Sequence, residues 1–159
     1  MIPCQRHLFD IPNDVAYLNT AYMSPLLTSV VRAIDNGSRL KANPWKLKIS
    51  NFFDDIEEAR ELFSSLMHTI ASNIAIIPSA SYGVQTAANN LQIPKGSKIL
   101  VLSDQFPSNV YPWRRIAKQK GAEIKTVNVP DGEAATEYIV DALDERFSVC
   151  ATANVLWTN

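Results

Sequence analysis

From residue 74 onward the sequence alternates short apolar runs with longer segments of helical period, and Pro and Gly separate them. The first run, 74–77, ends at Pro78 and reads as a buried strand. A helix opens at Ser81 or a neighbour and runs to Leu91. Pro94, Lys95 and Gly96 turn the chain into a second apolar run at 99–102. Pro107, Ser108 and Asn109 cap a helix reaching Lys120, and Gly121 supplies its stop. Residues 123–129 alternate as a strand, a helix starts near Thr136 and runs to Arg146, and 148–156 is a last strand. Strands and helices in strict alternation, joined by short connections, predict an α/β domain. Its sheet is mostly parallel, with four strands and helices on its faces.

The first third is different. Pro3, Pro12 and Asn13 interrupt any period, so residues 1–24 read as an irregular arm with a short extended piece at 17–19. Ser24 and Pro25 have the pattern of an N-cap followed by proline in the first helical turn. Leu27, Val30, Val31 and Ile34 then keep helical spacing. After the break at Asn43, Pro44 and Trp45 comes the strongest helical pattern. Phe52, Phe53, Ile56, Ala59, Leu62, Phe63, Leu66, Met67 and Ile70 trace one stripe, and acidic residues fill the other face. No repeat or linker divides 25–159, which reads as one domain.

Composition excludes several classes. With 159 residues, 47% of them hydrophobic, a core is affordable and disorder is not expected. Fifteen Lys and Arg against 16 Asp and Glu leave a net charge of −1, too little field for nucleic acid or anionic lipid. Lys41, Lys46 and Lys48 surround Trp45, but a solvated loop accounts for them. No apolar run approaches the ~20 residues of a membrane span, and no secretory leader is visible. Cys4 and Cys150 are too far apart in sequence for a metal or disulfide pattern. A reducing cytoplasm is therefore the expected location. Cys150, in an apolar run, reads as buried packing, and His68 as a surface residue. The glycine-rich dinucleotide and P-loop fingerprints are absent.

Ligands of open α/β sheets bind at the carboxyl ends of the strands. Three segments fall there. The junction 76–83 places Ser79, Ala80 and Ser81 at a helix N-terminus, where free N–H groups and hydroxyls suit a phosphate. Ordinary capping by Ser79 or Ser81 explains the same residues, and spacing alone favours it. The loop 104–113 follows the next strand. In it Phe106 either stacks on a flat ring or belongs to the core. Trp157, Thr158 and Asn159 end the last strand at the same edge.

Taken in order, the segments at 17–21, 78–83, 105–109 and 157–159 resemble the class V aminotransferases. These are fold-type-I pyridoxal-phosphate enzymes that include cysteine desulfurases, kynureninases and isopenicillin-N-epimerase-like enzymes. The resemblance runs over essentially the whole chain. It implies that Ala80 and Ser81 hold the cofactor phosphate and that Phe106 stacks on the pyridine ring. It places Thr158 near the cofactor's 3′-oxygen and the arm at 17–25 near the substrate entrance. Desulfurases carry a histidine where Phe106 stands; phenylalanine stacks but moves no proton.

The resemblance also implies an amino-acid substrate and a homodimer. The family's Schiff-base lysine, and the aspartate that pairs with the pyridine nitrogen, have no counterpart among these residues. The expectation is therefore an incomplete large domain, catalytically inactive alone. Two rivals stand beside it: a non-enzymatic α/β interaction module, and a flavodoxin-like binding domain, which needs five strands rather than four.

Overall fold

The structure, a computed structural model, describes residues 3–20 and 23–155. The chain forms two compact units, Met1–Ile76 and Ile77–Asn159.

The first unit is helical. Helix α1 spans Thr28–Lys41 and helix α2 spans Asp54–Leu66. Single 3-10 turns lie at Arg6–Leu8, Pro44–Lys46, Ile49–Phe52 and Ala71–Asn73. Helix α1 starts later than Ser24 and Pro25 suggest. Leu27 is extended, with ψ 145°, and bridges antiparallel to Phe9, which holds residues 24–27 out of the helix. Asp54, Asp55 and Glu57 occupy the first turn of α2, where the helix dipole favours negative charge. Arg60 fastens the chain that leaves α2: its guanidinium donates to the carbonyls of Ala71 and Ile74, both at 2.9 Å, and pairs with Glu57. The stripe along α2 is present but uncovered. Phe52, Phe53, Ile56, Leu62, Phe63, Leu66, Met67 and Ile70 are all exposed.

The second unit holds helix α3 (Ala80–Asn90), strand β1 (Lys98–Leu102), helix α4 (Tyr111–Lys120), strand β2 (Glu123–Val127), helix α5 (Ala135–Ala142) and strand β3 (Phe147–Ala151). The three strands form one parallel sheet in the order β2-β1-β3. Central β1 is apolar throughout because both of its faces are covered. Ile99 and Val101 face a cluster with Ala88, Ile93, Trp113, Ile116 and Ala117, from the α3 and α4 side. Leu100 and Leu102 face Val127, Tyr138 and Ile139, from the α5 side. Gly121 ends α4 in the left-handed conformation, φ 69°, where a side chain is strained.

Three expectations change. The run 74–77 is not a strand: it pairs with none of the three strands of the described sheet, and Ile76 and Ile77 are exposed. The described sheet therefore has three strands rather than four. Helix α5 stops at Ala142, short of Arg146, because the carboxylate of Asp144 accepts from the backbone N–H of Arg146 and turns the chain into β3. Cys150 is exposed, not packed: α5 covers β2 and β1 and leaves the edge strand β3 open on that side. His68 is exposed, as expected, in a left-handed conformation with φ 52° just beyond α2.

Candidate functional site

The carboxyl ends of β1 and β3 and the N-termini of α3 and α4 bring one group of polar side chains together. Ser79 is the N-cap of α3: its backbone is extended and its hydroxyl accepts from the N–H of Tyr82 at 3.2 Å. This settles which serine caps, and it releases Ser81 for other work. Ala80 and Ser81 occupy the first turn, where backbone N–H groups have no intrahelical acceptor. The Ser81 hydroxyl lies 2.8 Å from the hydroxyl of Ser108. Ser108 belongs to the 3-10 turn Pro107–Asn109, which joins β1 to α4. The N-terminus of α3 and the connection from β1 to α4 thus meet at a hydroxyl pair.

Phe106 stands immediately before that turn and is 41% exposed, so it is no core residue. Behind it, Asn109 ties three elements. The indole Nε1 of buried Trp113 donates to Asn109 Oδ1 at 3.1 Å. Asn109 Nδ2 donates to the carbonyl oxygen of Ala151, the last residue of β3, at 3.3 Å and to Gln105 Oε1 at 3.2 Å. On the other side of the loop, the Ser103 hydroxyl contacts Asn128 Oδ1 at 2.9 Å, joining the ends of β1 and β2. Thr158, together with Trp157 and Asn159, lies outside the described residues.

An open groove of about 700 Å³ runs from the hydroxyl pair between α3 and α4, lined among others by Ser79, Ser81, Gln85, Ser108 and Tyr111. No carboxylate among the described residues lines it. A separate cavity of about 490 Å³ on the α5 side is lined by Asp104, Asp131 and Glu133. Of the two, the α5-side cavity thus carries the carboxylates, and the serine-side groove is lined by uncharged residues. No cluster of His, Cys, Asp or Glu among the described residues could hold a metal.

Ala80, Ser81 and Phe106 come from the sequence pattern, and the structure sets Ser81 against the loop that carries Phe106. Ser108, Asn109 and Trp113 enter as site residues only through the contacts they make. A weak signal for the last two exists in the sequence, since an Asn four residues before a Trp can share one helical face.

A parallel sheet with helices packed on its faces and a helix N-terminus bearing hydroxyls at its carboxyl edge defines an α/β domain, a class in which ligands bind at that edge. The aminotransferase class-V family model matches residues 16–156, and the chain belongs to that family. Curated cysteine desulfurases of Salmonella newport (strain SL254) and Salmonella typhi are 23% identical over 107 residues, covering 64% of this chain and 26% of theirs. Among solved structures, a variant of C-DES with glycine covalently linked to its PLP cofactor superposes with a TM-score of 0.80 at 20% identity, over 97% of this chain and 42% of that one. The cysteine desulfurase CsdA from Escherichia coli gives 0.74 at 18%, over 91% and 39%. The chain spans about a quarter of the length of the curated relatives it matches.

Proposed function

We propose that this chain supplies the phosphate grip and the ring platform of a pyridoxal-phosphate-dependent enzyme acting on an amino acid. The observation that carries this reading is the 2.8 Å contact between the Ser81 and Ser108 hydroxyls at the N-terminus of α3. With the first-turn N–H groups of Ala80 and Ser81, it makes a compact set of donors on the positive end of a helix dipole. Such a set fits a phosphate. Ser79 holds the helix end in shape and stays out of the ligand set. Phe106 offers exposed ring surface for stacking and no titratable nitrogen. Thr158 is assigned to the 3′-oxygen side of the ring. The bound cofactor supplies the electron sink that labilises bonds at the amino-acid α-carbon.

Because Phe106 moves no proton, transamination, epimerisation or lyase chemistry suits the site better than desulfuration. Residues 1–24 are assigned to an arm and 25–159 to part of the large domain. The reading extends to a homodimer, which the exposed apolar faces of α1 and α2 favour, and to the cytoplasm, which suits the free thiols of Cys4 and Cys150.

None of the eight lysines suits a Schiff base, which needs a partly desolvated amine beside the ligand. Lys98 starts β1 at the opposite end of the sheet and is bound to Asp144 at 3.1 Å. Lys41, Lys46, Lys48, Lys95, Lys118, Lys120 and Lys125 are exposed. These residues alone are therefore expected to bind pyridoxal phosphate non-covalently and to turn over nothing. A non-enzymatic interaction module is the second reading, and the uncovered stripe of α2 favours it.

Titration of the chain with pyridoxal phosphate separates the two. Saturable binding, weakened about fivefold or more by Ser81→Ala for the loss of a hydrogen bond of about 1 kcal/mol, supports the cofactor reading. Equal affinity of the two proteins refutes the grip. After borohydride treatment no single lysine should carry a stoichiometric pyridoxyl adduct at saturating cofactor; one that does, with turnover of an amino acid, would refute the expected inactivity.

A further inference from the structure

The orientation of the Asn109 carboxamide is dictated rather than assumed. An indole N–H can only donate, so the Asn109 atom 3.1 Å from Trp113 Nε1 must be the oxygen. The Asn109 nitrogen then faces Ala151 O and Gln105 Oε1, and both of its protons are used. This in turn fixes the amide of Gln105, whose Nε2 is turned away, buried, and without a hydrogen-bond partner among the described residues. Next to it, Asp104 holds a left-handed backbone, φ 54°. A buried donor left without an acceptor is unfavourable, and a left-handed non-glycine residue adds to the cost. A loop under such strain persists only where its surroundings over-determine it. Ser103 ties the start of this loop to the end of β2, and Asn109 ties its far end to the end of β3 and to the core indole of Trp113.

We propose that Asn109 is the positioning residue of this site. Its carboxamide clamps the loop carrying Phe106 and Ser108 between the end of β3 and the core indole of Trp113, and so sets Ser108 against Ser81. Its effect on ligand binding rests on the reading of that serine pair as the phosphate grip. The clamp itself is independent of that reading.

The test compares the full chain with Asn109→Ala and Asn109→Asp. The aspartate nearly preserves shape and still accepts from Trp113, but it loses both donations; it carries the test should the alanine variant fail to fold. Hydrogen exchange by NMR is read at the loop amides of Phe106, Ser108 and Asn109 and at the core amides of Leu100 and Val101. Binding of inorganic phosphate and of pyridoxal phosphate is read from the Ser81 amide shift.

The expected result is loop exchange faster by about tenfold or more, core exchange changed much less, and affinity for both probes reduced about fivefold or more, in line with hydrogen bonds of about 1 kcal/mol each. Loop protection unchanged, or lost only in step with the core, overturns the proposal. Loosening of the loop with affinity for both probes intact overturns it too, while leaving the cofactor reading in place. If the wild-type chain takes up neither probe, the cofactor reading fails, and the exchange result alone decides whether Asn109 orders the loop.

Discussion

Ser79 and Ser81 carry the same hydroxyl two residues apart, and helix geometry gives them different tasks. The residue outside the first turn has its side chain beside the free N–H groups, so Ser79 caps. The residue inside the turn does not cap, and the Ser81 hydroxyl meets that of Ser108. The two substitutions should therefore separate. Ser79→Ala is expected to cost about 1 kcal/mol of stability, measured as a lowered urea midpoint, with ligand binding reduced only through the looser helix end. Ser81→Ala should leave the midpoint within about 0.5 kcal/mol, as an exposed substitution does, and weaken phosphate binding. If Ser79→Ala leaves the midpoint unchanged, the cap is not the stabilising contact the geometry describes. Gly121 is a third case at this scale. Its φ of 69° suits glycine, and an added Cβ would sit 3.2 Å from Lys95 Cγ. Gly121→Ala is expected to destabilise by about 1 kcal/mol, read from the same midpoint.

Among the elements, the turn between α5 and β3 has the clearest electrostatic signature. Arg146 holds the Asp144 carboxyl well below the usual carboxylate range, first through its side chain and then through its backbone N–H, and Lys98 adds to this against partial desolvation. A carboxyl depressed in the folded state contributes stability above its unfolded pKa, about 3.9. That contribution is lost as pH falls below this value toward the folded one. Asp144→Asn should lower the melting temperature at pH 7, and the gap from the wild type should close as the pH drops below about 4. A gap independent of pH would mean that the turn's geometry matters and its charge does not.

The same elements show what could be read in advance. The run at 99–102 is legible because a strand covered on both faces carries no polar alternation. The run at 74–77 has the same appearance and is no strand, since an apolar run encodes a tendency to be buried and not the pairing partner that makes a strand. Ser81 is legible as a first-turn hydroxyl. Its contact with Ser108, 27 residues on, and the reach of Asn109 to Ala151, 42 residues on, depend on the strand order and could not be read from spacing.

At the scale of the molecule, burial is uneven. Every buried apolar residue among those described lies in Ile77–Asn159, and the one buried residue described in Met1–Ile76 is Ser64. Hydrophobic burial is the main favourable term in folding, so stability is expected to differ between the units. Amides of Leu100 and Val101, with side chains at 0% and 1% exposure, should exchange slowest. Leu100→Ala should cost about 2–5 kcal/mol. The amides of α2 should exchange quickly unless its stripe is covered. Leu62 and Leu66, one turn apart, are 67% and 71% exposed, in a stripe larger than scattered surface leucines explain. The chain is therefore expected to self-associate with rising concentration, and to slow exchange in α2 as it does so. Leu62→Glu combined with Leu66→Glu should shift sedimentation toward monomer and return fast exchange to α2. The exchange of Leu100 should not change. A wild-type chain that stays monomeric at high concentration, with α2 already protected, would refute this account of the stripe.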